Sequence, residues 1–128
     1  MIGVDMAAGE MVNTIQQLVA GVNRHDVAAV IGLYADDAVV EDPVGTDPKI
    51  GHEAIQALYQ QGFDLNIQFE LTGPVRCAGN SAAFPFLPTI DLGENKMSIE
   101  IIELIEFNED GKVKSMRAYW GPGNCVQN

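Results

Sequence analysis

The spacing of apolar residues changes once along this chain, near Gly62, and that change limits the folds open to it more than any single motif does. Before it, Met11, Val12, Ile15, Leu18, Val19 and Val22 recur at intervals of three and four, the period of a helix with one buried face, from about Glu10 to Asn23. Asn23 to Asp26 breaks the pattern. Asp26 then offers an N-cap for a second short helix through Val27, Val30, Ile31, Leu33 and Tyr34. A third helix is expected from about His52 to Gln61, with Ile55, Leu58 and Tyr59 inward and Gly51 and Gly62 at its ends.

After Gly62 the period is two. Ile67, Phe69 and Leu71 alternate with Gln68 and Glu70, and Thr72 to Val75 interrupts the strand. Ser81 to Leu92, Lys96 to Phe107 and Lys112 to Trp120 continue as a meander, with turns at residues 93–95 and 108–111. Pro85 and Pro88 fall within one of these strands, which is therefore expected to be irregular or at an edge. Helices first and strands afterwards are the mark of an α+β fold. Three N-terminal helices laid across a curved, mostly antiparallel sheet would form a cone around an apolar cavity.

The 128 residues, 47% of them hydrophobic, fit one domain spanning 1–128 with an ordered core from about 10 to 124. A net charge of −11 opposes nucleic acid and anionic membranes as partners, because phosphate binding needs clustered Lys and Arg. No secretory signal opens the chain and no apolar run is long enough to span a bilayer, so a cytoplasmic location is expected, with Cys77 and Cys125 as reduced thiols. His25 and His52 are far apart and outside any Cys/His ligand spacing, so neither a metal nor another cofactor is expected.

Two acids stand out. Asp42 closes a short apolar strand and is followed by Pro43 to Gly45, which stop the strand and set its carboxylate at the mouth of the expected cavity. On local pattern alone the structural role is favoured, since acids before such turns commonly bond to backbone amides. In the strand from Ile99 to Phe107, the set Ile99, Ile101, Glu103, Ile105 and Phe107 shares one face, opposite Glu100, Ile102, Leu104 and Glu106. Parity does not say which face is inside. If the first is, Glu103 is a desolvated carboxyl that favours its neutral form and can donate a hydrogen bond to a developing oxyanion. Tyr34 and Tyr59 fall on inward helical faces, and Phe86, Ile99, Ile101, Met116 and Trp120 supply an apolar lining suited to a flat hydrocarbon substrate.

The segments Tyr34 to Gly45, Ala57 to Gln61, Leu71 to Arg76 and Gly111 to Trp120, in this order and spacing, resemble the ketosteroid isomerase (steroid Δ5-isomerase) family within the nuclear transport factor 2 superfamily. The resemblance extends from about residue 10 to 124. It implies a steroid Δ-isomerase that uses no cofactor and moves the double bond of a 3-oxo-Δ5-steroid into conjugation through a dienolate. Asp42 matches the proton-carrying aspartate, and Glu103 stands in place of the protonated aspartic acid that holds the dienolate oxygen in that family. Tyr59 and Tyr34 match tyrosines that extend a hydrogen-bond chain behind the oxyanion donor.

The family's main oxyanion tyrosine falls at Leu18 when counted without gaps, and a shift of one residue offers Gln17. Loss of one such donor costs on the order of 3 kcal/mol, about a hundredfold in rate, unless another group replaces it. Glu103 and Tyr59 are the expected replacements. The resemblance further implies a homodimer formed through the outer sheet face. Other members of the superfamily open two alternatives, a binding protein for hydrophobic, steroid-like ligands and an enzyme of the polyketide cyclase or epoxide hydrolase type.

Overall fold

A computed structural model describes residues 6–127; the expected single domain of 1–128 extends slightly beyond these at both ends. The helical half is α1 (Ala8–Asn23), α2 (Val27–Ile31) and α3 (Gly51–Asp64). Met11, Ile15, Leu18 and Val22 form the buried stripe of α1, and the Asp26 carboxylate accepts the Ala29 N–H to cap α2. The strands are β1 (Tyr34–Glu41), β2 (Lys49–Ile50), β3 (Ile67–Leu71), β4 (Arg76–Ala78), β5 (Ser81–Asp91), β6 (Lys96–Ile99), β7 (Ile101–Phe107), β8 (Val113–Tyr119) and β9 (Cys125–Gln127). They make one curved sheet of order β2-β1-β8-β7-β5-β6-β9, with β3 and β4 also paired to β5. All pairs are antiparallel except β1 with β8. The three helices cover its concave face, as expected of the α+β cone.

Four local expectations are corrected. Tyr34 lies on β1, not on a helix, because the Val113 N–H donates to the Leu33 carbonyl and draws the following residues into register with β8. The strand before Asp42 is therefore eight residues long. Gly62 does not end α3. The helix continues to Asp64 because Phe63 is buried and stacks on the His25 ring, 5.0 Å between centroids, which outweighs the roughly 1 kcal/mol penalty of an internal glycine. A Cβ at Gly62 would stand 3.2 Å from Ile67 Cγ2, so glycine here lets β3 approach the helix.

The proline-bearing strand β5 lies inside the sheet, with β3 and β4 on one side and β6 and β7 on the other. Each proline is accommodated at a gap in its neighbours. The Pro85 carbonyl points toward the interrupted segment between β3 and β4, where it accepts the Thr72 N–H, so its missing donor falls where no ladder runs. Pro88 faces the break between β6 and β7. The register is the same on both sides of that break, Phe86 opposite Ile101 and Thr89 opposite Ser98. Lys96 to Phe107 is thus one path, interrupted at Glu100, whose N–H turns away to the Asn124 carbonyl.

Candidate functional site

The parity question on β7 has a clear outcome. Ile101, Glu103, Ile105 and Phe107 point inward, while Ile102 is 55% exposed on the other face. Glu103 lies between Phe84 of β5 and Ala118 of β8, both buried, and is itself only 3% exposed. Its carboxyl has no hydrogen-bond partner among the described residues. Burial first, and the nearby negative charge of Asp42 second, push its pKa well above the ordinary carboxylate range. The shift favours the neutral form of the Glu103 carboxyl, the form that can donate a hydrogen bond.

Asp42 is brought to the same place by the parallel pairing of β1 with β8. Both strands run in one direction with Glu41 opposite Arg117, so Asp42 and Trp120 leave the sheet at the same end. There the Trp120 indole N–H donates to Asp42 Oδ1 at 2.7 Å. Val44 N–H donates to the Ala118 carbonyl and fixes the turn that follows. Asp42 Oδ2 has no partner among the described residues. Burial raises the Asp42 pKa and the Trp120 bond opposes that rise. The arrangement gives a carboxylate of increased basicity with one oxygen pinned and the other open.

Both acids lie on the wall of a cavity of about 390 Å³, within the usual size of small-molecule sites. Its lining includes Tyr59, Phe86, Ile99, Ile101, Met116 and Trp120, which brings together the residues expected from the strand and helix patterns. Leu58, Gln61 and Gly62 of the third helix, Leu65 just past its end, Ile67 and Phe69 of β3, and Pro88 and Ile90 of β5 complete it. The sequence pattern placed Leu58 inward, but assigned none of these eight residues to the cavity. The helical spacing 58, 61, 62, 65 was the available signal, and it becomes readable once α3 is known to run on past Gly62.

The tyrosines divide the work differently from a shared inward face. Tyr59 reaches the cavity; Tyr34, almost fully buried, does not line it and instead shares a hydrogen bond of 2.5 Å with the Tyr59 hydroxyl. Burial raises both phenols, so each stays protonated. When Tyr34 donates to Tyr59, the Tyr59 proton is free to turn toward the cavity. Leu18 packs in the core and is not among the cavity residues, and Gln17 is exposed on the far side of α1. Position 18, expected to touch substrate, is not among the lining residues. Cys77 and Cys125 are free thiols, and no described helix is long and apolar enough to cross a membrane.

Comparison with known proteins agrees with this architecture. Residues 15–116 match the model of the SnoaL-like domain. The chain is 41% identical over 99 residues to a steroid Delta-isomerase of Nocardioides simplex, covering 77% of this chain and 80% of that protein. It is 29% identical over 105 residues to the epoxide hydrolase LasB of Streptomyces lasalocidi, covering 78% of this chain but 37% of the relative. Among solved structures, the epoxide hydrolase/cyclase-like enzyme SalBIII superposes with a TM-score of 0.85, covering 91% of this chain and 95% of its own, at 23% identity. That last likeness is one of fold.

Proposed function

The chain belongs to the SnoaL-like domain family, and on that premise we propose that it is a steroid Δ-isomerase acting on a 3-oxo-Δ5-steroid. The observation that carries this reading is the pair of carboxyls on the wall of one apolar cavity, Asp42 with one oxygen held by Trp120 and Glu103 almost fully buried. The identity to the Nocardioides simplex isomerase supports it. Asp42 Oδ2 takes the proton from the carbon between the ketone and the double bond. Charge then develops on the ketone oxygen, where Glu103 donates a hydrogen bond and Tyr59, supported by Tyr34, can donate a second. Asp42 returns the proton to the far end of the dienolate. No net charge is gained or lost, and no cofactor takes part.

The test is conversion of a Δ5-3-ketosteroid, followed as growing absorbance of the conjugated enone. Turnover no faster than background would overturn the assignment. Within this mechanism Trp120 positions Asp42. Trp120→Phe is expected to lower kcat/KM roughly tenfold at neutral pH, since a hydrogen bond to a charged group contributes about 1.5–3 kcal/mol and part of it survives through water. Because that bond lowers the Asp42 pKa, its loss moves the acid limb of the pH–rate profile to higher pH. A limb that stays in place would show that the indole does not act on Asp42.

The same acid and base could open an epoxide, with Asp42 taking the proton of an attacking hydroxyl and Glu103 protonating the epoxide oxygen. The similarity to LasB is the observation that favours this second reading, and product formation from a hydroxy-epoxide without any enone formation would select it.

A cytoplasmic homodimer is part of the proposal. Ile102 and Tyr119, 55% and 44% exposed on adjacent strands of the outer sheet face, supply apolar surface for a second copy. Sedimentation should give twice the 13.8 kDa chain mass, with Ile102→Lys shifting it toward the monomer. An unchanged mass in that variant would move the interface elsewhere.

A further inference from the structure

The cavity wall is uneven in its polarity. Apart from Asp42, Tyr59, Glu103 and the Trp120 indole, which belong to the proposed reacting end, the only polar side chain on it among the described residues is Gln61. Tyr59 and Glu103 are 8% and 3% exposed, whereas Gln61 is exposed beside Leu65, itself 41% exposed. Gln61 therefore stands at the rim, with Tyr59 and Glu103 at the buried end. It shares one helical stripe with Leu58 and Gly62, the stripe that α3 turns toward the cavity, with Leu65 just past the end of the helix.

Its neighbour Gln60 is occupied, with Nε2 donating to Asp64 Oδ1 at 2.9 Å. The Gln61 amide has no partner among the described residues. Among the described residues no Lys, Arg or His lies on the wall, and the chain carries a net charge of −11.

We propose that Gln61 is a specificity-determining residue that hydrogen-bonds a neutral oxygen, a hydroxyl or ketone, on the end of the substrate remote from the reacting ketone. The amide can donate to a ketone and both donate to and accept from a hydroxyl. An anionic group at that end meets no cation and the field of an acidic protein. The substrate class is thus a ring-fused hydrocarbon oxygenated at both ends and uncharged, a narrowing that rests on the isomerase reading of the cavity.

The test is by binding, so that it does not depend on turnover. Trp120 is the only tryptophan in the chain and lines the cavity, so its fluorescence reports occupancy. Three phenolic steroids are compared on the intact protein, carrying at the end remote from the phenol a ketone, a hydrocarbon or a carboxylate. The wild type is expected to bind the ketone about three- to tenfold more tightly than the hydrocarbon, the range of one neutral hydrogen bond, and the carboxylate most weakly. Gln61→Leu, on an exposed helical position where folding is little affected, is expected to erase the preference for the ketone without weakening the hydrocarbon.

An undiminished preference in Gln61→Leu, no preference in the wild type, or tightest binding of the carboxylate each overturns the proposal. The preference can persist in a protein that shows no enone formation; that result removes the isomerase reading and leaves the Gln61 assignment in place. Enone formation with an unaltered preference in Gln61→Leu does the reverse.

Discussion

Asp42→Asn is expected to reduce kcat for isomerisation by about 10³- to 10⁴-fold, the upper range for loss of a positioned proton carrier, while a phenolic steroid still binds. The asymmetry of the site is the reason. Trp120 holds Oδ1 at 2.7 Å, and the Asn carbonyl can accept that same bond, so the side chain keeps its place. What changes is the open atom. Oδ2 becomes an amide nitrogen whose lone pair is delocalised into the carbonyl and does not receive a proton, and among the described residues the only other carboxyl on the wall is Glu103, which burial biases toward its neutral form.

The pH profile gives an independent readout. Burial raises the Asp42 pKa, so the acid limb of kcat/KM in the wild type should lie above the ordinary aspartate value of about 3.9. That limb marks conversion of the base to its protonated, inactive form as pH falls. It should vanish in Asp42→Asn. Stopped assays of enone absorbance across pH settle the matter, and equal rates for wild type and variant, or a limb that survives in the variant, would remove Asp42 from the role of base.

Much of this site was legible in the sequence, for physical reasons that also mark where legibility ended. The period-two pattern of β7 put Glu103 in register with Ile101 and Ile105, because side-chain direction in a strand follows from parity alone. It could not say which face was covered, since Ile102 and Leu104 are as apolar as their neighbours. That depended on helices far away in sequence. Tyr34 shows the opposite case. Its local surroundings read as helix, but pairing of β1 with β8, about eighty residues later, makes it a strand residue, and long-range pairing leaves no local trace.

The same pairing explains why Asp42 was ambiguous. Nothing near it in sequence shows that Trp120 stands beside it; the contact arises because two parallel strands end together. Gly62 misled for a simpler reason. Glycine is a helix terminator by propensity, but its roughly 1 kcal/mol penalty is smaller than what burial of Phe63 contributes. The extension of the helix brings Leu65, just past its end, to the cavity, one of the lining residues the pattern did not reveal. Leu18, which by counting stands where the resembled family has its oxyanion tyrosine, packs in the core.

Glu103 is the residue for which activity and stability should respond in opposite directions. Glu103→Leu removes the proposed oxyanion donor and is expected to lower kcat by about 10²- to 10³-fold. Glu103→Gln keeps an N–H that can donate, so a smaller loss of roughly tenfold is expected. The order of the two variants matters, because a purely structural Glu103 gives no reason for the amide to rescue the rate. Stability follows from proton linkage. The folded pKa of Glu103 lies well above its unfolded value of about 4.3, so between the two the folded protein holds a proton that the unfolded chain has released. The stabilising contribution of the neutral carboxyl is complete below the unfolded value and declines as pH rises toward the folded one. Gln does not titrate. The stability of Glu103→Gln relative to wild type should therefore be constant in acid and grow with pH above about 4, measured as the difference in urea midpoints. Asp42 adds a check from the other side of the cavity. Its negative charge is the second cause of the Glu103 rise, so in an Asp42→Asn background the pH-dependent gain should end at a lower pH, a coupling that only two carboxyls facing the same cavity can show. A relative stability that does not change with pH would mean that Glu103 is not the neutral acid of the site, and the oxyanion would have to be held by Tyr59 alone.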